Sequence, residues 1–265
     1  MKIIQITDTH LIPRGKVLHG LNPCELLEAC IASIKEFHAD AEMCIITGDL
    51  TDQGHPKAYH DFRKILQQLP MPYHPLIGNH DHREIFAEIF PEVPLDEHGF
   101  VQQMLKTEQG RFLLLDTVKH KKDEGTYCEK RGAWLRTQLE ESGRTNVYLF
   151  MHHPPFKIGI PALDRIKLQD GAERIQQIVS DFSNIKHLFF GHVHRPISGS
   201  WYGIPFTALW GTNHQILLDL ATEDYLTYSH EPPAYSVIQL EPQQTTVHYQ
   251  HYLDNSPGIK SPLIT

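Results

Sequence analysis

Five short groups of potential metal ligands, most of them directly after an apolar run, constrain the fold of this chain more than any other feature. The groups are Asp8-x-His10, Gly48-Asp49, Gly78-Asn79-His80-Asp81, His152-His153 and Gly191-His192-x-His194. Parallel strands of an α/β sheet end at one edge, and ligands bind in crevices outside those carboxyl ends. Residues far apart in the sequence can therefore converge there. We predict an α/β fold with a dinuclear metal centre at this edge.

Strand-like runs alternate with helical patterns through the first three quarters of the chain. In 22–38 the apolar residues recur at helical spacing, and Asn22 followed by Pro23 supplies a start signal. Further helices are predicted over 56–69, 82–90, 131–141 and 168–182. Strands are predicted over 2–6, 43–47, 74–77, 100–106, 111–116, 147–151, 187–190, 204–209, 235–240 and 245–252.

The length and composition favour one folded domain. The chain has 265 residues, of which 40% are hydrophobic and 21% charged, as in an ordinary globular protein. We predict a single domain over 1–265, with a C-terminal strand region over 196–253. Within that region 217–233 is a polar excursion that would cover the active site or a partner chain in a homo-oligomer. The tail from Asp254 is expected to be the loosest segment.

The net charge and the cysteines indicate which binding partners and which cellular compartment to expect. The formal charge of −8 disfavours long nucleic acids, although bound cations reverse the local field for a small phosphate substrate. The basic cluster Lys119–Lys122 is interpreted as a solvated turn. The four cysteines form no CxxC pair, which favours free thiols in a reducing compartment. With no signal peptide and no apolar run long enough to span a membrane, the expected location is cytoplasmic.

The donor set indicates which metals would bind. Asp8 and His10 lie two residues apart, as do His192 and His194, so each pair points to one side of an extended segment. Seven nitrogen and oxygen ligands result, namely Asp8, His10, Asp49, Asn79, His152, His192 and His194. This set, without a thiolate, suits manganese, iron, cobalt or zinc. Seven ligands are too many for one catalytic ion, whereas two ions that share a carboxylate fit the count.

The order of the motifs resembles that of the calcineurin-like metallophosphoesterase family. DxH, GD, GNHD, HH and GHxH follow one another between Asp8 and His194. The resemblance implies a two-sheet β-sandwich flanked by helices, in αββα layers, with two metals at one edge. Carried over, one metal would be held by Asp8, His10, Asp49 and His194. The other would be held by Asn79, His152, His192 and the bridging Asp49.

The expected chemistry is phosphoester hydrolysis, for which metal coordination supplies hydroxide near neutral pH. His80 is the candidate acid for the leaving alkoxide because it lies beside Asn79, and Asp81 is available to orient its ring. Asp81 could instead, or also, cap the helix 82–90. We interpret Asp52 either as a residue that holds a metal ligand in place without binding the metal itself, or as the cap of the following turn. Adjacent side chains on a strand point oppositely, so only one histidine of the HH pair faces the metals, and the resemblance favours His152.

The closer resemblance is to bacterial class III cyclic-nucleotide phosphodiesterases and glycerophosphodiesterases. It rests on ITDTHL, HGLNPCELLEACIASI, TGDLTDQG, PLIGNHD, FMHHPPF and the later GTNHQ. It implies that Asn79, His80 and His214 contact the substrate, although His214 could be an ordinary loop residue. The segment 224–233 resembles part of an active-site cover or dimer contact.

The sequence therefore predicts a metal-dependent phosphodiesterase that acts on small diesters. A 3′,5′-cyclic nucleotide is the leading substrate and a glycerophosphodiester is the alternative. The ligand groups contain no cation for the extra charge of a monoester, although Arg14, Arg83 and Arg195 flank them. Three alternative functions remain open: a nuclease, a protein phosphatase and a non-catalytic scaffold protein on the same fold.

Overall fold

The computed structural model describes residues 1–254, and all of the predicted loose tail except Asp254 lies outside them. In chain order the strands are β1 (Lys2–Ile6), β2 (Met43–Thr47), β3 (Tyr73–Leu76), β4 (Gln103–Thr107), β5 (Gly110–Leu115), β6 (Gly125–Thr126), β7 (Val147–Met151), β8 (Leu168–Asp170), β9 (Ile185–Phe190), β10 (Ile197–Trp201), β11 (Ile204–Ala208), β12 (Gln215–Ile216), β13 (Tyr228–Ser229), β14 (Ala234–Glu241) and β15 (Gln244–His251). The helices are α1 (Pro23–Phe37), α2 (Pro56–Leu66), α3 (Arg83–Ile89), α4 (Glu129–Ser142), α5 (Pro161–Asp164) and α6 (Ala172–Ser180).

Two mixed sheets form the centre of the molecule. The first has the order β15-β14-β1-β2-β3, and the second β10-β11-β9-β7-β5-β4. Their facing surfaces share one apolar cluster, made of Ile3, Ile45, Leu76, Phe112, Leu114, Tyr148, Phe150, Phe189, Ile238 and Leu240. The outer face of the first sheet packs against α1, α2 and α3, and that of the second against α4, α5 and α6. The predicted αββα sandwich is confirmed.

Helix α1 shows how the local sequence builds one of these layers. The Asn22 side chain accepts a hydrogen bond from the Glu25 backbone N–H at the start, and Pro23 fits the first turn because it has no N–H to satisfy. Leu27, Ile31 and Ile34 recur at helical spacing and are buried. Full burial of each such side chain stabilises the fold by about 1.5–3 kcal/mol.

The predicted helix over 168–182 is wrong in its first part. Leu168–Asp170 is instead the strand β8, which pairs with β6, and α6 begins only at Ala172. Gly171 separates the two elements with a φ of 90°, and a Cβ there would lie 2.1 Å from the carbonyl oxygen of Tyr127. Pairing with the distant segment 125–127 therefore overrides the helical pattern.

The topology brings the carboxyl ends of both sheets to one edge of the sandwich. Strands β1, β2 and β3 run parallel in the first sheet, and β5, β7, β9 and β11 run parallel in the second. The predicted metal ligands follow the ends of β1, β2, β3, β7 and β9. The four cysteines are free, and three of them are buried. No helix within residues 1–254 has the length and apolar character needed to cross a membrane.

Candidate metal centre

An unusual backbone conformation marks the predicted ligands. Five of the seven adopt a positive φ, namely Asp8 at 53°, His10 at 45°, Asp49 at 49°, His192 at 69° and His194 at 46°. Residues with a side chain seldom adopt this region, and each costs about 1–3 kcal/mol unless its surroundings impose it. Here hydrogen bonds between loops hold the backbone, since Asp8 N donates to Gly48 O at 3.1 Å and His10 N to Asp49 O at 2.9 Å. Such clustered strain is typical of functional sites.

The first group of predicted ligands converges in a buried cluster. Ligand atoms of Asp8, His10, Asp49 and His194 all lie within 4.8 Å of one another. The Nε2 atoms of His10 and His194 are 3.1 Å apart, and Nε2 of His194 is 3.4 Å from Oδ1 of Asp8. Two imidazole nitrogens and carboxylate oxygens thus face one point.

The second group converges beside the first, around the side-chain oxygen of Asn79. Oδ1 of Asn79 lies 3.1 Å from Nε2 of His152 and 3.0 Å from Nδ1 of His192. Nε2 of His152 is also 3.2 Å from Oδ2 of Asp49. An amide oxygen, two imidazoles and a carboxylate therefore form a second set of donors.

Asp49 lies between the two sets. Its Oδ2 atom is 3.5 Å from Nε2 of His10 and 3.2 Å from Nε2 of His152. Its Oδ1 atom accepts a hydrogen bond of 2.9 Å from the backbone N–H of His80, which fixes the orientation of the carboxylate. One carboxylate oxygen therefore faces both groups, as a bridging ligand requires.

Hydrogen bonds to the far side of the imidazoles leave the inner nitrogens free for a metal. Nδ1 of His152 lies 2.8 Å from Thr47 O, and Nδ1 of His194 lies 2.7 Å from His214 O. Because a carbonyl only accepts, each Nδ1 carries the proton and Nε2 has a free lone pair, the usual arrangement of metal-bound histidines. Nδ1 of His10 lies 3.4 Å from Oδ1 of Asp52. The donor set and its tautomers thus fit divalent transition metals.

Glycines in two of the motifs permit the close approach of these groups. A Cβ on Gly78 would lie 2.2 Å from Oδ1 of Asp49, and one on Gly48 would lie 2.5 Å from Nδ1 of His152. Either side chain would displace a predicted ligand. The GD and GN pairs are therefore a steric requirement of the site.

The buried charges create a strong preference for bound cations. Burial alone would raise the pKa of Asp49, but the neighbouring histidines, His152 above all, hold that pKa well below its ordinary value. Burial would lower the pKa of His152, but Asp49 and Asp8 raise it to about 9. Burial lowers the pKa of His192 to about 3, so this ring is neutral. Bound metal ions would replace the proton of His152 as the partner of the carboxylates.

The prediction that Asp81 orients the His80 ring does not match its contacts, which are with neighbouring loops. Its carboxylate accepts backbone hydrogen bonds from Leu50, Thr51 and Gly78 at 2.9–3.0 Å and the hydroxyl of Tyr59 at 2.9 Å. The turn closed by Asp81 N and Gly78 O at 3.1 Å directs the side chain back into these loops. Nor does Asp81 cap α3, which has His82 at its N-cap position and no side-chain cap.

Asp52 makes the contact with His80 that was expected of Asp81. Nδ1 of His80 lies 2.8 Å from the carbonyl oxygen of Asp52 and 3.6 Å from its carboxylate. Nδ1 therefore carries a proton that it donates to the carbonyl, and Nε2 remains free. The His80 side chain is 38% exposed and lies in the wall of the cavity over the ligands.

Of the adjacent histidines, only His152 faces the two donor sets with a free nitrogen. Both nitrogens of His153 have partners, since Nδ1 lies 2.7 Å from Thr117 Oγ1 and Nε2 lies 3.1 Å from Asp123 O. The ring of His153 packs 4.6 Å from that of His192 and supports it from behind. This geometry agrees with the choice of His152 as the ligand.

A cavity of about 180 Å³ lies over the ligands. Its wall includes His214, whose ring is 5.0 Å from that of His10 and whose pKa burial lowers to about 2. Sequence reasoning missed several lining residues, namely His19, Asp123, Leu163, Ile166, Ile216, Leu226 and Tyr228. No motif marks them; the only signal was the excursion 217–233, which contributes Leu226 and Tyr228.

The cavity carries no strong cation of its own. Among residues 1–254, none of those that line it is Lys or Arg. The three flanking arginines are engaged elsewhere: Arg14 pairs with Glu28, Arg83 with Asp116, and Arg195 donates to Ile216 O. Positive charge for a phosphate group must therefore come from bound metals and histidines.

Comparison with known proteins agrees with this geometry. The model of the calcineurin-like phosphoesterase family matches residues 1–196. The chain belongs to the calcineurin-like phosphoesterase family. A probable cyclic nucleotide phosphodiesterase of Rhodopseudomonas palustris is 38% identical over 97% of this chain and 94% of the relative.

Two further proteins extend the comparison. The probable glycerophosphodiester phosphodiesterase GpdQ of Arcobacter nitrofigilis is 30% identical over 97% of this chain and 95% of its own length. The crystal structure of a dimetal phosphatase from Danio rerio superimposes with a TM-score of 0.71 at 14% identity, covering 96% of both chains. The last similarity shows the fold alone.

Proposed function

We propose that this metal-dependent phosphodiesterase holds two metal ions and hydrolyses small phosphodiesters, with a 3′,5′-cyclic nucleotide as its leading substrate. The observation that carries the two-ion centre is the position of Asp49, whose Oδ2 atom is within 3.5 Å of histidines from both donor sets. One ion would be held by Asp8, His10, Asp49 and His194. The other would be held by Asn79, His152, His192 and Asp49.

Bound divalent ions would supply positive charge and a water of lowered pKa at this place. The protein's own part is to bind and orient the phosphoryl group over the donor sets and to protonate the leaving oxygen. Asn79 and His80 stand at this position in the cavity wall, and Nδ1 of His80 donates to the Asp52 carbonyl, so the second proton of the acidic ring is carried by Nε2. Burial would lower the pKa of His80, but Asp49 and Asp52 raise it above its ordinary value, which favours this doubly protonated form of the ring. We assign the proton transfer to the leaving alkoxide to His80.

The residues around the cavity support a diester. A diester carries one negative charge where a monoester at neutral pH carries nearly two, and the cavity wall lacks Lys and Arg among the residues described. Leu163 and Leu226 give the wall an apolar part.

An aromatic group on one side of the cavity supports a nucleotide. The ring of Tyr228 lies 4.3 Å from that of His19 and 4.7 Å from that of His214. Such rings offer stacking surfaces to a planar base. The 38% identical relative from Rhodopseudomonas palustris, named as a probable cyclic nucleotide phosphodiesterase, favours the same substrate class.

The second candidate is a glycerophosphodiester. The 30% identical GpdQ relative, which matches over 97% of this chain, favours it. A competitive turnover panel of cyclic AMP, glycerophosphoethanolamine and a phosphomonoester, with metal-reconstituted protein, decides between them. We expect the highest kcat/KM on cyclic AMP. A higher value on glycerophosphoethanolamine would establish the second candidate, and preference for the monoester would refute both.

A further inference from the structure

A second cleft opens beside the metal cavity. Its volume is about 220 Å³, and Asp52, Asn79, His80 and Asp123 line both spaces. At its rim lie His82 and His120, which come from different parts of the chain. Neither histidine belongs to the seven predicted ligands.

His82, Glu84 and His120 bring three ligand atoms together at this rim. These atoms lie within 4.8 Å of one another. Ligands about 2.1 Å from a shared zinc ion lie at most about 4.2 Å apart, so a small rotation of the exposed Glu84 or His120 side chain brings all three into range. The rings of His82 and His120 have centroids 5.6 Å apart at 82°.

The contact between His82 and Glu84 lacks the geometry of a hydrogen bond. Nδ1 of His82 is inaccessible to solvent and has no hydrogen-bond partner, yet it lies 3.0 Å from Oε2 of Glu84. A buried imidazole nitrogen without a partner is costly, and a shared cation is one way to satisfy it. Two imidazoles and a carboxylate are also the ligand set of known zinc sites that retain an open position.

Rigid contacts hold the two halves of this cluster against each other. The His82 backbone N–H donates to the Tyr59 hydroxyl at 2.8 Å, which fixes the start of α3. Arg83, which lies between His82 and Glu84, binds Asp116 at 2.8 and 2.9 Å and the carbonyl of Val118 at 3.1 Å. The loop that carries His120 is thereby tied to α3. The ligands are prearranged by residues that take no part in the catalytic site.

We propose that His82, Glu84 and His120 form a third transition-metal site, of zinc type, at the rim of the cleft that leads to His80. Lys121 and Lys122 line the same cleft and weaken the affinity for a cation. This site therefore fills only at metal concentrations above those that fill the central pair. An ion there narrows the cleft beside His80, so excess zinc slows turnover.

The test counts ions per chain after equilibrium dialysis of the metal-loaded protein against increasing Zn²⁺. We expect wild type to hold one ion more than the His120→Ala variant, and Glu84→Gln to bind that ion at least tenfold more weakly. His60→Ala, which removes an exposed histidine from α2, is the matched control and should behave as wild type.

The difference between wild type and His120→Ala tests the third site independently of the central pair. A failure of the two-ion centre would lower the count in both proteins equally and leave the difference intact. Equal counts in wild type and His120→Ala would overturn the proposal. Inhibition by excess Zn²⁺ should need at least tenfold more zinc in His120→Ala, and an unchanged inhibition curve would overturn the effect on turnover.

Discussion

The Oδ2 atom of Asp49 lies 3.2 Å from Nε2 of His152, although the two residues follow strands of different sheets. Asp49 follows β2 in the first sheet and His152 follows β7 in the second. The same oxygen also lies 3.5 Å from Nε2 of His10. A single carboxylate thus connects both sheets and both sets of donors.

Replacement of Asp49 by Asn should therefore disturb both metal positions together. The variant retains the size of the side chain but removes the negative charge that both groups share, so we expect the metal content to fall at both positions. Metal analysis of purified protein measures this, with the surface substitution Asp181→Asn as the control. Loss of one ion with full retention of the other would contradict the bridging role.

Asn79→Ala should affect one position only. Its Oδ1 atom is within 3.1 Å of both His152 and His192, and no hydrogen bond joins it to His10 or His194. We expect one ion per chain to be lost and kcat to fall at least about tenfold. Titration of the variant with Mn²⁺ gives the stoichiometry. A variant that still binds two ions with unchanged affinity and rate would exclude Asn79 as a ligand.

His80→Ala should retain both ions but lose rate in a way that depends on the leaving group. A general acid contributes about 10²–10⁴-fold, and it matters least where the leaving group is already stable as an anion. We expect a large fall in kcat on an alkyl diester and a small one on bis(p-nitrophenyl) phosphate. Equal losses on the two substrates would argue against proton transfer by His80.

The motifs were sufficient to predict which residues converge, because most of the ligand groups directly follow a strand with a clearly apolar sequence. They were insufficient for the partners of His80. Asp81 is adjacent in sequence, but the turn at Gly78 directs its carboxylate into the 50–51 loop, and Asp52 fills the expected place. Contacts between loops depend on backbone turns that residue spacing does not encode.

Tertiary pairing also limited the prediction of the fold. The pattern from Leu168 onward has helical periodicity, yet its first residues pair with β6 as a strand. The residues of the cavity wall could not be predicted from the sequence for the same reason. His19 and Tyr228 come into contact only when the 217–233 excursion folds over the strand ends. No local signal in either segment identifies the other as its neighbour.

Tyr228→Ala tests whether the excursion contributes to substrate choice. Tyr228 packs on His19 and His214 in the cavity wall, so its loss should raise KM for a cyclic nucleotide by about tenfold, from the loss of one stacking contact of about 1–3 kcal/mol. Bis(p-nitrophenyl) phosphate should be affected less. Tyr225→Ala, an exposed tyrosine of the same segment that does not line the cavity, is the control. Equal KM changes in the two variants would remove Tyr228 from substrate binding.

Asp116→Asn tests the buried ion pair that supports the loop after β5. Burial would raise the pKa of Asp116, but Arg83 and Arg131 outweigh this and lower it below its ordinary 3.8. Removal of the charge leaves buried Arg131 with its backbone hydrogen bonds but without a countercharge, and should cost about 3–5 kcal/mol in the free energy of unfolding. Urea denaturation of the metal-free proteins measures the cost.

The pH dependence of that cost follows from the direction of the pKa shift. A depressed carboxyl pKa gives stability that is fully present above the unfolded value of 3.8 and is lost as pH falls through the lower folded value. The difference between wild type and Asp116→Asn should therefore be constant from about pH 8 to 5 and shrink below pH 3.8. A difference that grows toward low pH would contradict the assignment.

The most direct test of the two-ion phosphodiesterase is metal titration of the metal-free protein. Turnover of bis(p-nitrophenyl) phosphate is followed while Mn²⁺ is added, and bound metal is counted at each step. We predict negligible activity without metal and a rate that rises to its maximum at two ions per chain. A maximal rate at one ion per chain, or no activity with manganese, iron, cobalt or zinc, would contradict it.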